Sequence, residues 1–156
     1  MIGVLFVCLG NICRSPMAEG VFRQTLREQG LQDRFQVDSA GIGNWHLGKP
    51  AHKGTLKVLK EHNIPHYGRS RQITPSDFEH FQYILAMDTH NLTDLKQFNI
   101  SPHKVQLFLD AAHKRGLTPL QEVPDPYYDG RFEAVFDLIK LGCVALLDDI
   151  REEQQL

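Results

Sequence analysis

No apolar run in this chain of 156 residues approaches the ~18–20 residues needed to cross a bilayer. The run that opens it, residues 2–7, lacks a basic flank and passes directly into a polar loop, so it reads neither as a membrane span nor as a secretory leader. Blocks of one charge are missing too. Lys and Arg number 17 against 19 Asp and Glu, for a formal net charge of −2. Without a basic cluster, neither a polybasic membrane anchor nor a non-specific nucleic-acid surface is expected. Cysteine is scarce: there are three, an odd number, and Cys8 and Cys13 fall in one loop. That distribution argues against a disulfide framework and for a reducing compartment, the cytoplasm. The eight histidines are scattered, with no His-Glu-x-x-His pattern and no Cys/His cluster, so neither a metal nor another cofactor is expected. Repeats, low-complexity tracts and linkers are absent. The length suits a single domain, 1–156, with a proper core, and a monomer is expected.

What the chain does contain is organised around Val7-Cys8-Leu9-Gly10-Asn11-Ile12-Cys13-Arg14-Ser15-Pro16. An apolar strand pattern feeds it and an amphipathic pattern beginning at Pro16 leaves it, so it reads as a strand-to-helix loop. Consecutive N–H groups wrapped around a hollow at a helix N-terminus make an anion site. Gly10 and Asn11 tolerate the backbone conformations such wrapping needs, and Pro16 suits a first helical turn. Arg14 brings a planar fork that matches two phosphate oxygens at once. The same field favours thiolate over thiol at Cys8, and Ser15 is placed to donate a hydrogen bond to that sulfur. A buried core cysteine, the usual fate of a free thiol, requires none of these neighbours.

The rest of the chain alternates. Helical spacing of Met17, Ala18, Val21, Phe22, Thr25 and Leu26 is followed by Gly30 as a natural C-terminal stop, and residues 35–39 lean towards strand. The pattern then predicts a glycine-rich loop over 41–50, a helix over 51–62, and a short helix opened by Thr74-Pro75-Ser76-Asp77 with a capping hydroxyl. Beyond it come strand 83–87, helix 89–98, strand 105–109 and helix 131–150. Cys143 lies on the apolar stripe of that last helix and reads as core. Such alternation predicts an α/β fold, a three-layer, doubly wound parallel sheet of about four strands with helices on both faces, flavodoxin-like. Ligands of such sheets sit at the carboxyl ends of the strands, where Cys8 lies. Trp45, the single tryptophan, is either a core plug or the wall of a pocket.

A thiolate that attacks a phosphate monoester must expel an alkoxide or phenoxide, which is slow unless the leaving oxygen is protonated. Asp125, in Pro124-Asp125-Pro126-Tyr127-Tyr128, is the best candidate, because flanking prolines restrict it. Taken alone the tripeptide also reads as an ordinary Asp-Pro turn.

The segment Cys8 to Pro16 resembles the phosphate-binding loop of the low-molecular-weight protein tyrosine phosphatases, and Asp125-Pro126-Tyr127-Tyr128 resembles their general-acid loop. The resemblance implies Cys8, Arg14 and Asp125 as catalytic. It implies Leu9, Gly10, Asn11, Ile12, Cys13 and Ser15, with Trp45 and Tyr127 beside the ring, as substrate-binding. Tyrosine-phosphorylated proteins and small aryl phosphates are the implied substrates, and inorganic phosphate is the product. Trp45-His46-Leu47-Gly48-Lys49-Pro50 matches a loop that flanks the substrate's ring in that family. Asp88, after a strand, matches a structural aspartate. Asp38-Ser39-Ala40-Gly41 resembles a segment whose serine braces the loop through Asn11. Gly68 stands where the family often has a histidine of that brace, with His66 or Tyr67 as substitutes. Cys13 is either a packed small side chain or, as in the family, a disulfide partner for oxidised Cys8. Tyr128 is a surface ring or a phosphorylation target. A redox-sensing or phosphotyrosine-binding module with little turnover is the rival reading. Two related activities fit less well: arsenate reductases need further cysteines on a mobile segment, and phosphoarginine phosphatases tend to carry threonine where Ile12 stands.

Overall fold

The computed structural model of the chain describes residues 1–98 and 104–156. Strand β1 (Ile2–Cys8) is buried from Gly3 to Cys8, and its side chains alternate between two cores. Val4, Phe6 and Cys8 enter one and Leu5 and Val7 the other. A strand covered on both faces belongs in the middle of a parallel sheet. The order is β2 (Phe35–Gly41), β1, β3 (Tyr83–Ala86), β4 (Val105–Leu107), all parallel. From β1 the chain winds first to one side and then to the other, which leaves the switch point beside the carboxyl end of β1.

Helices α1 (Arg14–Glu28) and α7 (Phe132–Gln154) cover one face, with α2 (Lys53–Glu61) beside them. Here Phe6 sits edge-on to Phe22 and Phe108, with ring centroids 5.5 and 5.7 Å away. Helices α3 (Asp77–His80) and α4 (Thr89–Lys96) supply Phe78 and Leu95 to the opposite core. Cys143 is wholly buried in the first core, and desolvation pushes its thiol well above the ordinary range. The α/β class, four parallel strands and two helical layers match the sequence expectation.

Several bounds differ from that expectation for local reasons. Helix α1 begins at Arg14, not Pro16, because the Cys13 carbonyl already accepts the Met17 N–H at 3.3 Å. Strand β2 extends to Gly41, where the segment around Gln72 bridges it as a further parallel neighbour. Strand β4 stops at Leu107, and the chain turns into α5 (Asp110–Lys114), too short for its periodicity to be legible. The Thr74 hydroxyl does not cap α3. It donates instead to Asp77 Oδ2, which also accepts the Thr74 N–H at 2.8 Å. Arg71 completes that corner, with Nη1 and Nη2 each 3.0 Å from the Asp77 oxygens and Nε 3.1 Å from Asp38.

Burial alone would raise the Asp77 carboxyl, but the Arg71 fork and the Thr74 N–H outweigh it and hold it below its usual value. A carboxylate depressed in the folded state stabilises above its unfolded value, and that contribution is lost as pH falls through the folded one. Asp77→Asn is therefore expected to cost about 1–3 kcal/mol at neutral pH. The gap to wild type should close below pH ~4 as the native carboxylate protonates. Urea unfolding of both proteins across that range checks the sign.

Candidate active site

The loop between β1 and α1 is held by its carbonyls. Ile42 N–H donates to Cys8 O at 3.0 Å, Gly43 N–H to Leu9 O at 2.9 Å, and His52 N–H to Ile12 O at 2.7 Å. The Ser70 hydroxyl donates to Gly10 O at 3.1 Å and the Thr55 hydroxyl to Cys13 O at 3.2 Å. Each of these donors lies outside the loop. Across a trans peptide the N–H points opposite the preceding carbonyl, and no cis bond occurs among the described residues. The N–H groups of Leu9, Gly10, Asn11, Cys13 and Arg14 are thereby turned into the hollow. A ring of N–H donors at the start of a 15-residue helix favours an oxyanion.

Asn11 is the loop's left-handed residue, with φ 56°. Its amide spends both protons behind the loop, on Ser15 Oγ at 2.8 Å and Ser39 Oγ at 3.0 Å, while its Oδ1 accepts the Arg71 N–H at 3.0 Å. The Ser39 proton goes to Glu19 Oε1 at 2.6 Å. Ser15, already accepting from Asn11, has its own proton free for Cys8 Sγ, 3.0 Å away. The serine brace expected from the sequence is present, but its outer end is Glu19 rather than a histidine. Tyr67 is 90% exposed and is no substitute. The His66 ring occupies the space beside Gly68, and burial, outweighing the pull of nearby Glu19, lowers its pKa.

Arg14 is almost fully buried, yet its guanidinium is surrounded by acceptors. Nη1 donates to Asp88 Oδ2 at 2.7 Å and to Val123 O at 2.9 Å, and Nη2 lies 3.5 Å from Asp125 Oδ2. Burial works against its charge, but Cys8, Asp88 and Asp125 together hold it more firmly protonated than usual. Asp88 therefore aims the arginine fork. It follows β3 at the carboxyl edge of the sheet, as the structural aspartate expected after that strand.

Asp125 is fixed by more than its prolines. It caps α6 (Pro126–Asp129), its Oδ1 accepting the Tyr127 N–H at 3.0 Å. One oxygen is committed to the cap while the other faces Arg14. The Asp-Pro turn and the carboxylate on a stiff loop are thus the same object.

Cys8, Arg14, Asp125, Ile12, Trp45 and Tyr127 line one cavity of ≈ 270 Å³, together with Leu9, Gly10 and Cys13. Asn11 and Ser15 do not line it, because their side chains form the brace behind. Trp45 is 64% exposed and is a wall, not a core plug. Its ring lies over Gly43, where a Cβ would come within 1.8 Å of it. Gly10 serves space rather than a left-handed φ, since a Cβ there would meet the His46 ring at 3.0 Å. His46, in the loop expected to flank the substrate's ring, lines the cavity too, and so does Tyr128, expected only as a surface ring or a phosphorylation target. Burial, reinforced by Cys8 and Asp125, pushes the Cys13 thiol up to about 12. No group of three or more His, Cys, Asp or Glu side chains that could hold a metal ion occurs among the described residues.

If Asn11 acts through both its backbone and its amide, Asn11→Gly keeps the left-handed turn and loses only the three bonds. Asn11→Ala loses both, and is expected to be less stable than the glycine variant by about 1 kcal/mol. Urea unfolding of the two variants compares them directly; an alanine variant as stable as the glycine one would remove the backbone constraint.

Comparison with known proteins agrees with this geometry. The chain is 47% identical to the low molecular weight protein-tyrosine-phosphatase YfkJ of Bacillus subtilis, with all of both chains covered. It is 44% identical to PtpA of Staphylococcus epidermidis, a protein of the same description, over all of this chain and 98% of that one. The crystal structure of YfkJ superposes with a TM-score of 0.93, covering 98% of this chain and 96% of that chain at 46% identity. The family described as low molecular weight phosphotyrosine protein phosphatase matches residues 3–156, and the chain belongs to that family.

Proposed function

We propose that residues 1–156 act as one catalytic domain that hydrolyses phosphotyrosine in proteins, and small aryl phosphates, through a phosphocysteine intermediate. The observation that carries this reading is the convergence of a sulfur, a ring of N–H groups, a buried guanidinium and a carboxylate on one small cavity. The phosphoryl group would sit in the ring, two of its oxygens on the Arg14 fork. The Cys8 thiolate attacks phosphorus as the ester P–O bond breaks, and Asp125 gives its proton to the departing oxygen. In the second step water attacks phosphorus and loses a proton to Asp125. The S–P bond breaks, the thiolate re-forms with Ser15 donating to it, and inorganic phosphate leaves.

Three features favour an aryl ester over other phosphorylated groups. Trp45 and Tyr127 stand at the mouth as exposed rings. His52, edge-on to Tyr127 at 5.8 Å and stacked on Phe132 at 5.0 Å, fixes one of them. Ile12 offers a branched apolar surface inside the cavity. Three free cysteines suit a reducing compartment, and no helix among the described residues is long and apolar enough to cross a membrane. Tyrosine-phosphorylated cytoplasmic proteins are the substrates this reading implies.

Cys8→Ser is expected to abolish turnover while leaving phosphate affinity nearly intact, because the N–H ring and Arg14 remain. Titration with inorganic phosphate beside an aryl phosphatase assay separates the two effects, and hydrolysis near the wild-type rate would remove Cys8 from the mechanism. Asp125→Ala should lose about 10²–10⁴-fold where the leaving oxygen is basic, as in phosphotyrosine, and far less on a nitrophenyl ester that departs unaided. Single-turnover rates over a series of aryl phosphates decide this. An equal loss on every ester would reduce Asp125 to a helix cap.

A further inference from the structure

Helix α2 opens on an imidazole. His52 precedes its first residue, and the His52 Nδ1 accepts the Gly54 N–H at 2.9 Å, a place that Ser, Thr, Asp or Asn usually fills. The His52 N–H donates to Ile12 O at 2.7 Å, and the Thr55 hydroxyl, in the first turn of the helix, donates to Cys13 O at 3.2 Å. These two bonds turn the N–H groups of Cys13 and Arg14 into the hollow. The start of α2 therefore holds the half of the loop that leads into α1. The His52 ring has two further contacts. It stacks on Phe132 with centroids 5.0 Å apart and 19° between planes, and it stands edge-on to Tyr127 at 5.8 Å and 73°. Phe132 begins α7 and closes on the backbone of Gly54, where a Cβ would come within 2.5 Å of its ring. Tyr127 has two other aromatic neighbours, His46 at 6.5 Å and Tyr128 at 5.2 Å. Both line the cavity themselves, and Tyr128 is 81% exposed. Of the three, His52 is the one tied to a helix terminus and stacked on a second helix, and it does not line the cavity.

One residue thus joins the phosphate end of the site to its aryl end. We propose that His52 is a positioning residue that sets the Tyr127 wall against the phosphate cradle, and that through Tyr127 it gives the site its preference for an aromatic ring beside the phosphoryl group. An edge-to-face contact is directional, so Tyr127 is held in one orientation before a ligand arrives. Without the imidazole that ring would have to give up its rotamer freedom on binding, which weakens the affinity for an aryl group and leaves the affinity for bare phosphate alone. The helix cap acts on the other half: it keeps the first turn of α2 formed, and with it the bonds to Ile12 O and Cys13 O. The two roles use different parts of one side chain, the ring nitrogen for the cradle and the ring faces and edges for the wall, so they separate by substitution. This assignment rests on the phosphotyrosine phosphatase reading and adds a determinant of its specificity.

The test uses two ligands that report on the two halves: inorganic phosphate, which occupies the cradle alone, and benzylphosphonate, which adds a ring. Isothermal titration calorimetry gives both affinities for wild type, His52→Asn and His52→Phe, and for Tyr127→Ala with and without His52→Asn. Asparagine keeps a helix cap and removes the ring. Phosphate affinity should then stay within about twofold of wild type, while benzylphosphonate weakens by about 3- to 10-fold, the size of a lost edge-to-face contact. Phenylalanine keeps a ring and removes the cap, so both ligands should weaken together, by about 2- to 5-fold, with the wild-type ratio between them. In the Tyr127→Ala background the wall is gone, and His52→Asn should change benzylphosphonate affinity no more than it changes phosphate affinity. An asparagine variant that weakens both ligands alike, or neither, would overturn the assignment. A benzylphosphonate loss that persists without Tyr127 would overturn it too, as would a phenylalanine variant that weakens benzylphosphonate alone. Should the phenylalanine variant not fold, the asparagine variant and the Tyr127→Ala pair decide the matter by themselves. Wild type that binds neither ligand and leaves aryl phosphates intact would bring down the phosphatase reading and this assignment with it. Wild type that hydrolyses phosphotyrosine but fails these comparisons loses only the role of His52.

Discussion

Everything at this site depends on the peptide planes of one short loop facing the right way. Its carbonyls are drawn outward by donors from the β2 end, from the 70–71 segment and from the start of α2. The N–H groups are thereby presented inward. Asn11 fastens the middle, with a left-handed backbone and an amide bonded on both ends. Burying that amide without partners would cost several kcal/mol, so the brace and the cradle stand or fall together. The doubly wound sheet supplies the setting: Cys8 ends the central strand at the switch point, and Asp88 follows the next one.

Two carboxylates temper the positive charge of the cradle. Five N–H groups and a guanidinium would favour any anion, but Asp88 and Asp125 sit on the same guanidinium. Asp88 is also tied to the N–H of Asn91 as the cap of α4, which fixes the fork's orientation before a substrate arrives. Asp125 makes the looser contact at 3.5 Å, with one oxygen held by its own helix cap. The rigid carboxylate aims the arginine, and the less engaged one at the mouth is the group to which the proposed mechanism gives the proton transfers.

Much of this was legible in the sequence. Cys8, Arg14, Ser15 and Pro16 mark a strand-loop-helix anion site on chemical grounds, and the alternation of patterns gives the sheet. The long elements came through because their periodicity extends over several turns; α5 and α6 did not, each being a turn or so long. The Glu19 end of the brace was hidden because a glutamate on a helix reads as solvent-facing, and only the fold shows it buried against Ser39. Asp88 looked structural because nothing local to it marks Arg14 as its partner, 74 residues away. The exposure of Trp45 depends on Gly43 making room for its ring, a contact no spacing rule contains.

The central claim is that phosphate passes through the sulfur of Cys8. It is tested most directly by mixing wild-type enzyme with an aryl phosphate, quenching into denaturant within one turnover, and mapping the phosphoryl group by peptide mass spectrometry. A phosphoryl group on the peptide that contains Cys8, absent from Cys8→Ser and decaying at the rate of phosphate release, is the expected result. Turnover with no covalent phosphoenzyme at any time, or a phosphoryl group carried by another residue, would contradict the account.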